Sequence, residues 1–227
     1  MRVVYFGSGS FSVPSLRAVL ESRHEVVGIY TQPARPAGRG GHARPTPLAE
    51  AGRAAGRRVA ECPNINAPEV VAEILALNAD VICVVDFGQF IKQPVLDAVP
   101  LGALNLHGSL LPLLRGAAPV QWALIRGFET TGVTSFRIVL AMDAGPIYLQ
   151  KAVDIGPEET AEDLKQRLAR LGTQTVCQTL DSLADGSARP VEQDHSLVTF
   201  APRLQKADGH IDLSAEALTI YNLIRGA

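Results

Sequence analysis

Three short apolar runs, each closed by a polar or glycine-bearing turn and followed by helical periodicity, narrow the folds open to this chain. Val3 to Phe6 leads into Gly7-Ser8-Gly9-Ser10 and then a helical pattern from Pro14 to Leu20. Asp80 to Val85, the most apolar run, empties into Asp86-Phe87-Gly88-Gln89-Phe90-Ile91 and a short helix from Ile91 to Val99. Gly102 to His107 stops at Gly108, and a helix follows from Ala117 to Arg126, with Pro119 in its first turn and Gly127 just past its end. Continuous apolar strands are buried on both faces, which a parallel sheet with crossover helices achieves. The predicted fold class is therefore α/β with a mostly parallel central sheet, the Asp80 strand near its middle. A chain of 227 residues has room for one well-filled domain and a small appendage.

The remaining segments fit this frame. A strand over Glu25–Tyr30 ends in Thr31-Gln32, without the acid that would hold a ribose, and Ser12 stands where a dinucleotide turn has its third glycine. The first turn thus reads as a phosphate- or substrate-facing turn rather than a nicotinamide site. Thr31 to Pro47 reads as one long loop, rich in proline and glycine; a short helix over Thr46–Gly56 follows it. Between Thr31 and Arg58 six arginines face one acid, Glu50, a local charge of +5 in a chain whose formal net charge is −2. Arginines on such a loop suit bidentate phosphate contacts, although a merely solvated loop has the same composition. Gly132–Leu140 and Ile147–Val153 read as paired strands around Asp143. Glu159–Leu183 is the longest helical pattern, with Leu164, Leu168, Leu171, Val176 and Leu180 on its apolar side.

From Ser187 to Asp208 the composition turns polar, as in an extended linker wrapping the domain, and Leu213–Ile224 opens another helix. The expected division is a catalytic domain over 1–186, a linker over 187–208, and over 209–227 the start of a further domain that is cut short. No run of 18 apolar residues suggests a membrane span. Cys62, Cys83 and Cys177 lack metal or redox spacing and fit reduced thiols. The expectation is a cytoplasmic, metal-free monomer with no membrane partner.

Chemistry concentrates at Asn105 and His107. Two residues apart on a strand, they share a face at its C-terminal end, where open α/β sheets hold ligands. An amide donates to a growing negative charge, and an imidazole donates or shuttles a proton. If the Asp143 loop folds over the crevice, amide, imidazole and carboxylate suit acyl transfer to an amine. No serine or cysteine stands in a nucleophile elbow, which favours direct transfer. Phe87 and Phe90 suit either a flat heterocycle or the core.

Asn105-Leu-His107-Gly-Ser109-Leu-Leu-Pro112, continuing as Arg115-Gly-Ala-Ala-Pro119-Val-Gln121, resembles the signature of enzymes that transfer formyl from 10-formyltetrahydrofolate. Within that family it is most similar to the enzymes acting on methionyl-tRNA. Thr31-Gln-Pro-Ala-Arg35-Pro-Ala-Gly-Arg39-Gly resembles their tRNA-entering loop. Phe87-Gly88-Gln89 resembles the folate-side loop, and Ile211-Asp-Leu the start of a C-terminal domain. The resemblance implies a Rossmann-like formyltransferase domain with Asn105, His107 and Asp143 catalytic. It assigns Ser109, Leu110, Leu111, Pro112, Gln89, Phe90 and Ile91 to the folate, Phe11 to the methionyl side chain and Arg39 to the initiator tRNA. Asp86 departs from the family, standing where a small residue is usual. Gly7-Ser-Gly-Ser10 is also unusual, so an amino-sugar nucleotide or glycinamide ribonucleotide remains an alternative acceptor. A non-enzymatic folate-binding module is a third reading.

Overall fold

In the computed structural model, which describes residues 1–36 and 43–227, the core begins with β1 (Arg2–Gly7). Period-two alternation sends Val3 and Tyr5 to one face and Val4 and Phe6 to the other, all four fully buried. Helix α1 (Ser12–Glu21) crosses to β2 (Glu25–Thr31), parallel to β1. The expected long loop contains a short antiparallel ribbon, β3 (Arg35–Pro36) with β4 (Ala43–Arg44); its tip, including Arg39, lies outside the described residues.

Helix α2 (Pro47–Ala54) is capped by the Thr46 hydroxyl, which accepts from the Ala49 N–H. Strand β5 (Ala60–Glu61) and helix α3 (Pro68–Ala76) lead to β6 (Val81–Val85). Helix α4 (Gln93–Leu96) covers only the middle of the segment read as helical, and β7 (Ala103–His107) follows. Beyond α5 (Pro119–Ile125) come β8 (Thr130–Arg137) and β9 (Ile147–Asp154), then α6 (Ala161–Ala184) and α7 (Ala217–Gly226).

The seven-stranded sheet runs β5-β2-β1-β6-β7-β8-β9, parallel through β7 and antiparallel over the last two pairings. Strand β6 is its middle strand, as its apolar run predicted. Leu16 and Val19 of α1 join Leu164, Leu168, Val176 and Leu180 of α6 over one face, while Ile74 and Val95 cover the other. Chain order reverses between β1 and β6, so a crevice opens at their C-terminal ends. There the Ser8 and Gly9 N–H groups donate to the Asp86 carbonyl at 2.9 and 3.2 Å.

The segment read as a linker is a strap laid along the domain. It bridges β9 at Ile147–Val191 and the loop after β7 at Arg115–Phe200. Arg115 N–H donates to Thr199 O at 2.9 Å, Ala201 N–H to Arg115 O at 2.7 Å, and the Trp122 indole to Pro202 O at 2.7 Å. Helix α7 docks near α5 and the α6 entry, where the Tyr221 hydroxyl donates to Pro157 O and Arg225 to Gly156 O, both at 2.9 Å. Among the described residues no helix is long and apolar enough to cross a membrane.

Candidate active site

A cavity of about 500 Å³ occupies the crevice, lined by Phe11, Asp86–Ile91, Asn105–Gly108, Gln121, Asp143 and Lys165, among others. Register explains the meeting of β6 and β7: Val84 pairs with Asn105 and Val85 with Leu106, so the loop after β6 leaves the sheet beside His107. The Asn105 amide has no hydrogen-bond partner among the described residues and is free for a ligand. His107 is 6% exposed, and its Nε2 lies 2.9 Å from Leu114 O. A carbonyl only accepts, so Nε2 carries the proton and Nδ1 is left for the cavity. That carbonyl is aimed by Leu114 at φ +60°, an uncommon conformation for a bulky residue.

Asp143 comes from the turn between β8 and β9, also with positive φ (+49°). Its Oδ2 accepts from the Gly116 N–H at 2.8 Å and stands 3.9 Å from His107 Nδ1. This is ion-pair range and too long for a hydrogen bond. Gly116 itself has φ +125°, and a Cβ there would lie 2.6 Å from Ala201 O. Only glycine lets the strap approach and still offers this N–H.

Gln193, in the strap, is the residue that sequence reasoning missed. Its Oε1 accepts from Arg115 Nη2 at 2.6 Å, and its Nε2 donates to the carbonyls of Asp143 and Gly145 at 2.9 and 2.8 Å. Burial pushes the Arg115 pKa down, and the Asp143 charge opposes that shift. Asp86 reaches solvent inside the cavity. Partial loss of hydration among the cavity walls pushes its carboxyl pKa up, against the Lys165 charge and the Phe11 N–H.

The expected folate contacts divide. Gln89, Phe90 and Ile91 line the cavity, with Phe90 exposed at its rim and Ile91 buried. The Gln89 side chain is committed elsewhere, accepting from Ile65 N–H and donating to Cys62 O, both at 2.8 Å. Phe87 packs on Phe6, ring centroids 5.2 Å apart, so it belongs to the core. Ser109, Leu110, Leu111 and Pro112 are not among the lining residues. The Ser109 hydroxyl donates to Leu113 O at 2.6 Å, and Leu111 O accepts from Gln150 at 2.8 Å. These bonds shape the loop that carries Leu114. Phe11 is buried and lines the cavity.

A second cavity adjoins the first through Asp86, Phe87, Gly88 and Arg203, and Arg35 and Arg44 also line it. The comparisons with known proteins bear on what these cavities serve. Residues 1–180 match the family model described as formyl transferase. The chain belongs to the formyl transferase family. It is 42% identical to a methionyl-tRNA formyltransferase of Solibacter usitatus over 226 residues, all of this chain and 73% of that relative. Among solved structures it is similar to glycinamide ribonucleotide transformylase 1 from Symbiobacterium toebii, with TM-score 0.70 and 24% identity over 86% of this chain and 94% of that one. An N-formyltransferase from Helicobacter canadensis, in complex with folinic acid and dTDP-3-aminofucose, gives TM-score 0.76 and 16% identity over 99% and 79%. At these identities the two structures share the fold of this formyltransferase.

Proposed function

We infer that this formyltransferase moves the formyl group of 10-formyltetrahydrofolate to the free α-amino group of initiator methionyl-tRNA. The observation that carries the reading is the convergence of Asn105, His107 and Asp143 on one cavity, each with a polar atom left for a ligand. The amine nitrogen attacks the formyl carbon, and the carbonyl oxygen gains negative charge. Asn105 and a protonated His107, donating through Nδ1, stabilise that oxygen. Asp143 holds the imidazolium and takes the proton from the attacking nitrogen, directly or through water. Collapse breaks the bond from carbon to N10 of the folate, and the proton ends on N10.

Two features support this acceptor over an amino-sugar nucleotide or glycinamide ribonucleotide. The activity of the Solibacter usitatus relative is one. The other is the arginine-lined second cavity beside the first, which suits a polyanion. Residues 1–186 would form the catalytic domain and 187–208 its strap, with 209–227 a separate segment after it. Purified protein should formylate charged initiator tRNA with 10-formyltetrahydrofolate as donor. Formylation of an amino-sugar nucleotide or glycinamide ribonucleotide in its place would reverse the acceptor assignment.

A further inference from the structure

The Asp143 turn is held from outside the catalytic segments. Gln193 is 4% exposed, and all of its amide bonds are committed. Arg115 can only donate, so it fixes which end of the amide is oxygen. The NH2 group must then face the Asp143 and Gly145 carbonyls. One of those carbonyls is Asp143's own and the other follows two residues on, and it is the Asp143 Oδ2 that meets the Gly116 N–H and faces His107. Gly116 in turn follows Arg115, whose backbone is paired to the strap through Thr199 and Ala201.

We propose that Gln193 is a positioning residue for formyl transfer, setting the Asp143 carboxylate opposite His107 by clamping the backbone of the Asp143 turn to Arg115. It touches neither substrate nor folate and acts through Asp143. The proposal rests on the catalytic reading of Asp143, but its structural half can be read without turnover.

Gln193→Glu in the full chain keeps the acceptor for Arg115 and turns the two donated bonds into oxygen facing oxygen. In hydrogen exchange without substrate, the Gly116 amide should lose the protection that Asp143 Oδ2 provides. In formylation of methionyl-tRNA, kcat should fall on the order of 10²-fold, as for a displaced catalytic group. KM for tRNA and folate should change less than about threefold, because no binding contact is removed. Trp122→Phe is the control: it deletes a strap bond to Pro202 away from the turn and should leave kcat and Gly116 protection intact. Gln193→Met, uncharged and of similar length, replaces the Glu variant if that one does not fold. Unchanged Gly116 exchange, or an equal kcat loss in Trp122→Phe at matched stability, would overturn the proposal. If wild-type protein does not formylate methionyl-tRNA, the acceptor reading fails and the exchange measurement still decides the clamp.

Discussion

At the scale of single residues, His107 has a divided role written in its bonds. Nε2 is committed to the Leu114 carbonyl, so only Nδ1 can serve the cavity, and the acid opposite it is itself tethered by Gly116. Each preorganised oxyanion donor lowers a barrier by about 2.7–4 kcal/mol, or roughly 10²–10³ in rate. Asn105→Ala should therefore cost kcat by about that factor in single-turnover formylation, and Asp143→Ala should lose most activity. Wild-type rates in either variant would remove the mechanism. The same roles demand a protonated imidazole together with a neutral amine and an ionised acid, so the single-turnover rate should rise and then fall with pH. A flat profile through neutrality would contradict the division of labour. Asn105 and His107 were legible in the sequence because two residues along a strand share a face. The aim of the Leu114 carbonyl was not, since nothing in a run of leucines announces a positive φ.

The elements show why the reactive strand sits where it does. Helix α6 crosses the sheet closely at Gly172, where a Cβ would lie 2.4 Å from a methyl of Leu106, the residue between Asn105 and His107. Alanine in a helix interior gains about 1 kcal/mol over glycine, whereas overpacking a core typically costs about 1–3 kcal/mol. The clash should win: Gly172→Ala is expected to lower stability in urea unfolding and to slow catalysis by shifting β7. A more stable, fully active variant would mean that Leu106 can move aside freely. Helix and strand order were readable from periodicity, including the apolar run that makes β6 central. The short β3–β4 ribbon was missed because two-residue strands carry no period. The strap was read as a linker because its polar composition conceals contacts that go mostly to main-chain groups, the Gln193–Arg115 pair apart.

Across the whole molecule, charge and burial set two measurable responses. His24 is 5% exposed, and burial lowers its pKa, reinforced by the Met1 amino group and opposed by Asp181. The unfolded chain takes up that proton near its ordinary pKa of about 6.5, while the folded chain resists. The contribution is therefore intact above about pH 6.5 and is lost as pH falls toward the lowered folded value. His24→Gln should flatten the fall in urea midpoint between about pH 7.5 and 5.5, and identical slopes would contradict this assignment. Arg35, Arg44 and Arg203 line one cavity, so tRNA affinity should weaken with salt, and Arg44→Ala should reduce the slope of log K against log salt by about 1. An unchanged slope would place the phosphates elsewhere.

Local pattern was enough to specify the strands, their helices, the parallel sheet and the amide–imidazole pair, because each depends on periods of two or about four residues within one segment. The approach of Asp143 to His107, the capture of its turn by Gln193 fifty residues later, and the split between Phe87 in the core and Phe90 at the rim emerged only in three dimensions. Those features depend on which distant backbone groups satisfy one another once the sheet has closed its register, and no local spacing encodes that.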